Sequence, residues 1–213
     1  MQTLDLSHVI SQDMPVYPGT EPPKVHTTAT LAKNSFIEKE VTLYTHIGTH
    51  LDAPAHILPE GKTLDAYPPE WFWGQGVTLD FSQINQSQIE KEDLEPFAPS
   101  IQSADFVLLY TGWSDYWGSP TYFADFPVLS AEAARWLAAF KLKGVGVDAS
   151  SVDHVDAVDF PVHKEFLSQN TVIIENLTNL KTLIGNRYKL FCFPLKIKEA
   201  DGSPVRAVAV LDE

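Results

Sequence analysis

Residues 46–56 read His46-Ile47-Gly48-Thr49-His50-Leu51-Asp52-Ala53-Pro54-Ala55-His56. Three of the chain's seven histidines fall in this short stretch, with an aspartate among them. Imidazole and carboxylate are the side chains that zinc and manganese favour. A single histidine here would be read as a satisfied core or surface residue. Three of them with Asp52, interleaved with Gly48 and Pro54, point to metal binding. Gly48 lets the backbone bend or approach closely, and Pro54 holds Ala53 extended. A catalytic metal needs further ligands from elsewhere, and His8, His26, His154 and His163 are the histidines left to supply them.

The elements that must position this segment follow from periodicity and punctuation. Residues 3–10 read as a first strand and Met14–Pro23, rich in proline, as an extended loop. Residues 35–45 alternate, with Ile37, Val41 and Leu43 opposite Glu38 and Glu40, which predicts a half-buried strand. Residues 46–60 carry too much Gly and Pro for a regular helix. Short buried strands are expected over 76–81, 105–110, 145–148 and 171–175. Ser130–Lys143 is the clearest helix, N-capped by Ser130 and stopped by Gly144. A second helix should start near Pro161 and end near Asn170. Residues 188–197 are apolar on both faces and read as a central strand. Asp201-Gly202 then turns the chain into a last strand over 205–211. The sum is mixed α/β, with more strand than helix, in one domain spanning 1–213.

Composition removes whole classes of function. Fifteen Lys+Arg against 28 Asp+Glu give a net charge of −13, so no basic stripe is available for nucleic acid or an anionic membrane surface. A 44% hydrophobic and 20% charged balance excludes disorder. Cys192 is the only cysteine, which excludes an internal disulfide and a multi-thiolate zinc site. The longest apolar run, Phe106–Tyr110, is far short of the ~20 residues that span a bilayer. The N-terminus lacks a secretory pattern. A cytoplasmic protein acting on a small molecule is expected.

The His46–His56 string resembles the His-x-Gly-Thr-His-x-Asp-x-Pro-x-His signature of the cyclase family, which includes bacterial kynurenine formamidases, isatin hydrolase and cyclases assigned to polyketide chemistry. Val16-Tyr17-Pro18-Gly19, Tyr110-Thr111-Gly112-Trp113, Gly146-Val147-Asp148 through Asp153, and Pro194 through Arg206 extend the similarity over nearly the whole chain. The resemblance implies a swivelling β/β/α fold and a homodimer or homotetramer, with neighbouring loops near the active site. It also implies metal ligands His46, His50, Asp52, His163 and Glu175, the last two at the family's spacing of twelve. His56 is implied as a catalytic acid/base rather than a ligand. One or two divalent cations would be held, zinc first and manganese as the alternative. A metal acidifies a bound water to a pKa of about 7, and a histidine near 6.5 can pass its proton to a leaving amine. Hydrolysis of an amide, an aryl formamide such as N-formylkynurenine or a cyclic amide, is the expected reaction. A cyclase or dehydratase on a polyketide-like chain and a non-catalytic metal-binding protein are the alternatives.

Tyr17, Trp71 and Trp113 are the candidate substrate contacts. Trp71 with Trp73, and Trp113 with Trp117, could equally anchor the core. Asp148 and Asp153 are expected to cap turns around Ser150 and Ser151 rather than touch the site. His154 is expected in solvent, and His8 and His26 as structural or surface residues. Arg135, Arg187 and Arg206 are the only guanidinium groups that could meet a substrate carboxylate. Cys192 should be buried and inert.

Overall fold

The structure is a computed structural model that describes residues 2–84 and 86–211. In chain order its strands are β1 (Gln2–Asp5), β2 (Lys24–Ala29), β3 (Glu38–Thr42), β4 (His50–Asp52), β5 (Trp73–Asp80), β6 (Gln88–Ile89), β7 (Phe106–Tyr110), β8 (Val128–Leu129), β9 (Gly144–Val147), β10 (Val172–Glu175), β11 (Tyr188–Phe191), β12 (Gly202–Pro204) and β13 (Val208–Leu211). Its α-helices are α1 (Leu31–Asn34), α2 (Lys91–Leu94), α3 (Ala98–Gln102), α4 (Ala131–Ala138) and α5 (Pro161–Leu167). The mixed α/β class with more strand than helix is therefore what the chain adopts.

Nine strands form one sheet in the order β1-β13-β11-β5-β7-β9-β10-β4-β12. The central β5, β7, β9 and β10 run parallel. The strands on either side are antiparallel. Strand β7, FVLLY, is buried at every position. Val107 and Leu109 pack with Leu137 and Phe166 of α4 and α5, whereas Phe106 and Leu108 pack on the opposite face with Leu51, Tyr188 and Leu190. Two buried faces explain an apolar run without alternation. Among the described residues, no helix is long and apolar enough to cross a membrane.

Several expected elements are shorter than their patterns implied. The first strand ends at Asp5 and the last begins at Val208. Helix α4 has the expected cap, the Ser130 side chain accepting from Ala133 N, but it stops at Ala138. Lys141, at φ 57°, makes the left-handed exit, and Gly144 is instead the first residue of β9. Helix α5 starts at Pro161 as expected and ends at Leu167. The segment 188–197 is an interior strand only to Phe191; beyond it Phe193, Leu195 and Ile197 are exposed.

The half-buried strand expected over 35–45 is not half-buried. Strand β3 pairs only with β2, in a two-stranded ribbon separate from the main sheet. Ile37 is 63% and Val41 50% exposed. The alternation is real, but the protomer places no core against its apolar side.

Candidate metal centre

The site is assembled by sheet register. Strand β4 lies between β10 and β12, with His50 opposite Glu175 and Asp52 opposite Gly202. Side chains two apart on a strand share a face, and directly paired residues share that face too. His50, Asp52 and Glu175 therefore project together, while Leu51 and Ile174 turn to the core on the other side. His46 enters from the loop before β4. His56 ends the short 3-10 turn Pro54–His56 after it. Helix α5 delivers His163 from its first turn.

The donor atoms form two groups that share carboxylates. In the first, His46 Nδ1 lies 2.7 Å and His50 Nε2 3.3 Å from Asp52 Oδ1, and His50 Nε2 lies 3.4 Å from Glu175 Oε2. In the second, His163 Nε2 is 3.6 Å from Asp52 Oδ2 and 3.5 Å from Glu175 Oε1. Asp52 and Glu175 each present one oxygen to each group. The ligating atoms of His46, His50 and Asp52 lie within 4.8 Å of one another, as do those of Asp52, His163 and Glu175.

Three observations fit a divalent cation in these groups. Asp52 Oδ2 is buried without a hydrogen-bond partner, a costly state for a carboxylate oxygen unless a cation meets it. Each of the three imidazoles in these groups is anchored through its other nitrogen: His46 Nε2 to Asp201 Oδ2 at 2.9 Å, His50 Nδ1 to the Gly48 carbonyl at 2.8 Å, and His163 Nδ1 to Asp153 Oδ2 at 2.7 Å. Such outer contacts fix the ring tautomer and orientation of metal ligands. The donor set of nitrogen and oxygen atoms suits zinc or manganese.

The electrostatics agree. Burial disfavours charge on His50, yet the carboxylates of Asp52 and Glu175 overcome it and push its pKa up to about 10. His163 is likewise raised well above the ordinary value, against burial, by Asp153, Asp52 and Glu175. Burial opposes ionisation of Asp52, but His50 and His46 hold it well below the carboxylate range. The cluster thus stabilises positive charge strongly. His56 differs: burial lowers its pKa, so at neutral pH it is an uncharged proton acceptor. Its Nδ1 sits 3.7 Å from Asp201 Oδ2, and its ring lies 3.8 Å from that of His46.

A cavity of about 420 Å³ opens onto His46, His50, His56, His163 and Glu175. Tyr17, Tyr44, Trp117, Phe123 and Phe160 supply its aromatic wall. Tyr17 hydrogen-bonds through its hydroxyl to the Val155 carbonyl at 3.3 Å. Trp71 and Trp113 do not line this cavity. Trp71 donates to the Lys143 carbonyl and packs beside Tyr67; Trp113 donates to the Tyr122 carbonyl and packs beside Phe126. In place of the substrate contact expected of them, both make packing contacts; Trp117 takes the cavity position.

Asp148 is buried and accepts from Thr111 N, Thr111 Oγ1 and Gly112 N, tying β9 to the end of β7. It does hold a turn, though one far from Ser150 in sequence. Asp153 departs from the expectation. It accepts from the backbone of Val162 and His163 and orients the His163 ring, so it belongs to the site. His154 is half-buried rather than in solvent. His8 stacks on Trp117 with centroids 3.8 Å apart. Arg135 pairs with Glu165 and Arg206 with Asp5, both on the surface, and Arg187 is exposed. Cys192 is buried, and burial raises its thiol pKa.

Two site residues escaped the sequence. Asp201 was legible only as half of an Asp-Gly turn. Asn176, at φ 57°, donates to the Gly48 carbonyl and accepts from the Tyr122 hydroxyl, fixing the loop that carries His46 and His50. Gly48 itself has φ 58°, the conformation for which its sequence position called.

Comparison with known proteins gives a consistent set. The Cyclase family model matches residues 4–154. Kynurenine formamidase of Bacillus thuringiensis (strain Al Hakam) is 30% identical over 207 residues, covering 96% of this chain and 95% of the relative. A solved isatin hydrolase bound to the product analogue thioisatinate superposes with a TM-score of 0.90 at 21% identity, over 99% of this chain and 93% of that one, and so shows the same fold. A structure described as a "potential metal-dependent hydrolase with cyclase activity" gives a TM-score of 0.84 at 30% identity, over 100% of this chain and 98% of that one.

Proposed function

The chain belongs to the Cyclase family, and on that premise we propose that it is a metal-dependent hydrolase cleaving the C–N bond of an aryl amide, either an N-formyl aryl amine or a cyclic amide. The observation that carries this reading is the pair of ligand groups bridged by Asp52 and Glu175, with a neutral His56 facing the same cavity. Relatives named kynurenine formamidase and isatin hydrolase support the reaction class.

When bound by His46, His50, Asp52, His163 and Glu175, one or two divalent cations, zinc or manganese, supply Lewis acidity and an acidified water near neutral pH. His56 does the proton work. With Asp201 near Nδ1, Nε2 is the atom left to take a proton from the attacking water and return it to the departing nitrogen. Asp201 stabilises the imidazolium formed between those events. The aromatic wall orients a planar substrate and excludes water from the reacting carbonyl. General acid–base help of this kind is worth ~10²–10⁴ in rate.

The test is turnover of an N-formyl aniline and of isatin by protein reconstituted with zinc or manganese. His56→Ala should keep its metal and lose about 10²–10⁴ in kcat. Joint loss of metal and turnover would place His56 among the ligands. A product heavier by one water supports hydrolysis, and one lighter by a water supports a dehydratase. No metal-dependent turnover of amide, lactam or ester overturns the reading. The expected homo-oligomer enters as part of the proposal: exposed Phe36, Ile37 and Val41, in and beside the β2–β3 ribbon, favour a second copy. A monomer mass by light scattering would remove it.

A further inference from the structure

We infer that the cavity selects an uncharged aromatic substrate over an anionic one bearing a free carboxylate. The inference rests on the hydrolase reading and sharpens its substrate class.

The first observation is the sign of the charges around the site. Asp52, Glu175 and Asp201 stand at the imidazole cluster, and Asp153 stands behind His163. Two divalent cations would only balance these four carboxylates, and one would leave the site negative. A substrate carboxylate reaching past the ligand groups therefore meets no net positive field. The second observation is what covers the rest of the cavity. Tyr17, Tyr44, Trp117, Phe123 and Phe160 present rings, whose faces are the negative side of the aromatic quadrupole. An anion desolvated against them loses its hydration without gaining a partner.

The third observation is where the positive groups are. Among the described residues the cavity is lined by no lysine or arginine. The Arg206 guanidinium, nearest in sequence to Asp201, is bound to Asp5 Oδ2 at 2.8 Å on the surface, and Arg135 to Glu165 at 3.1 Å. The net charge of −13 adds a long-range penalty for an approaching anion. A volume of about 420 Å³ with an aromatic wall fits one or two fused rings carrying a formamide, lactam or ester.

The experiment uses a matched pair on the metal-loaded protein. 2′-Formamidoacetophenone and 4-(2-formamidophenyl)-4-oxobutanoate share the same formylated aryl ketone, and only the second carries a carboxylate, with no ammonium group to offset it. We expect kcat/KM to favour the neutral compound by about 10–100-fold, mostly through KM. Tyr44→Arg, which replaces one ring of the wall by a guanidinium at the exposed mouth, should narrow the ratio. Equal or better kcat/KM for the oxobutanoate overturns the inference. Calorimetric binding of the two deformylated products, 2-aminoacetophenone and 4-(2-aminophenyl)-4-oxobutanoate, reads the same preference without turnover. Tighter neutral binding with no hydrolysis of either substrate would uphold the selectivity and remove the hydrolase reading; tighter binding of the oxobutanoate product would remove the selectivity.

Discussion

Replacing Gly202 by alanine adds one methyl group beside His46, a ligand in the proposed metal site. Gly202 faces Asp52 across the β4–β12 pairing. A Cβ built there falls 2.4 Å from His46 Cε1, 2.7 Å from Nε2 and 2.9 Å from Nδ1. Ordinary carbon contacts begin near 3.4 Å, so the ring must retreat by about 1 Å. It has little freedom to do so, because Asp52 holds Nδ1 and Asp201 holds Nε2. Metal–ligand distances tolerate only about 0.2 Å. The expected outcome is loss of His46 from the ligand set. Removing an outer partner of a ligand costs 10–100-fold in metal affinity, so displacing the ligand itself should cost about 100-fold or more. The metal-free fold should change little, since alanine is favoured over glycine in a strand by roughly 0.5–1 kcal/mol, which offsets part of the crowding. Zinc affinity by chelator competition and melting in EDTA separate the two effects. Zinc binding within threefold of wild type would refute the claim that close packing of β12 on His46 sets the site.

Asp153→Asn should weaken the second ligand group by about 10–100-fold while sparing the first, so bound metal per chain falls without the loss seen for Gly202→Ala; an unchanged metal content by mass spectrometry would refute this. Asp148→Ala leaves the donors of Thr111 and Gly112 without an acceptor and should destabilise by about 3–5 kcal/mol in urea unfolding; Asp148→Asn, which keeps one acceptor oxygen, should cost less. Burial lowers the pKa of His8 to about 4, so between about pH 6.5 and 4 the unfolded chain binds a proton that the fold refuses. Stability should therefore fall as pH drops through that window and be fully restored above it. His8→Phe, which keeps a ring on Trp117, should flatten this acid limb in thermal melts, and an unchanged slope would refute the assignment.

The histidine-rich segment was legible because its chemistry is written at short range, whereas His163 and Glu175 were named only through the family resemblance. His46, His50, Asp52 and His56 lie in one segment, and the alternation of a strand already puts His50 and Asp52 on one face. The cap of α4 at Ser130 and the start of α5 at Pro161 were equally local. What was misjudged depended on partners distant in the chain. The apolar side of β3 promised burial, but only the tertiary arrangement shows that this protomer brings nothing against it. Trp71 and Trp113 had the composition of a pocket wall, yet their indole N–H groups are spent on Lys143 and Tyr122 carbonyls.

The sequence by itself determined the mixed α/β class and the nitrogen-and-oxygen donor chemistry of residues 46–56, because residue type and short-range spacing set both; His56 as proton carrier came only from the family resemblance. Tertiary structure alone decided that Glu175 stands opposite His50, that Asp153 and Asp201 hold the His163 and His46 rings, and that Gly202 must be bare. The physical reason is that Glu175, Asp201 and Gly202 meet their partners through strand order and register, across more than a hundred positions, while Asp153 meets His163 through the turn into α5. An Asp-Gly pair forms the same turn whether or not a histidine ring lies against it, and only the folded sheet brings that ring within reach.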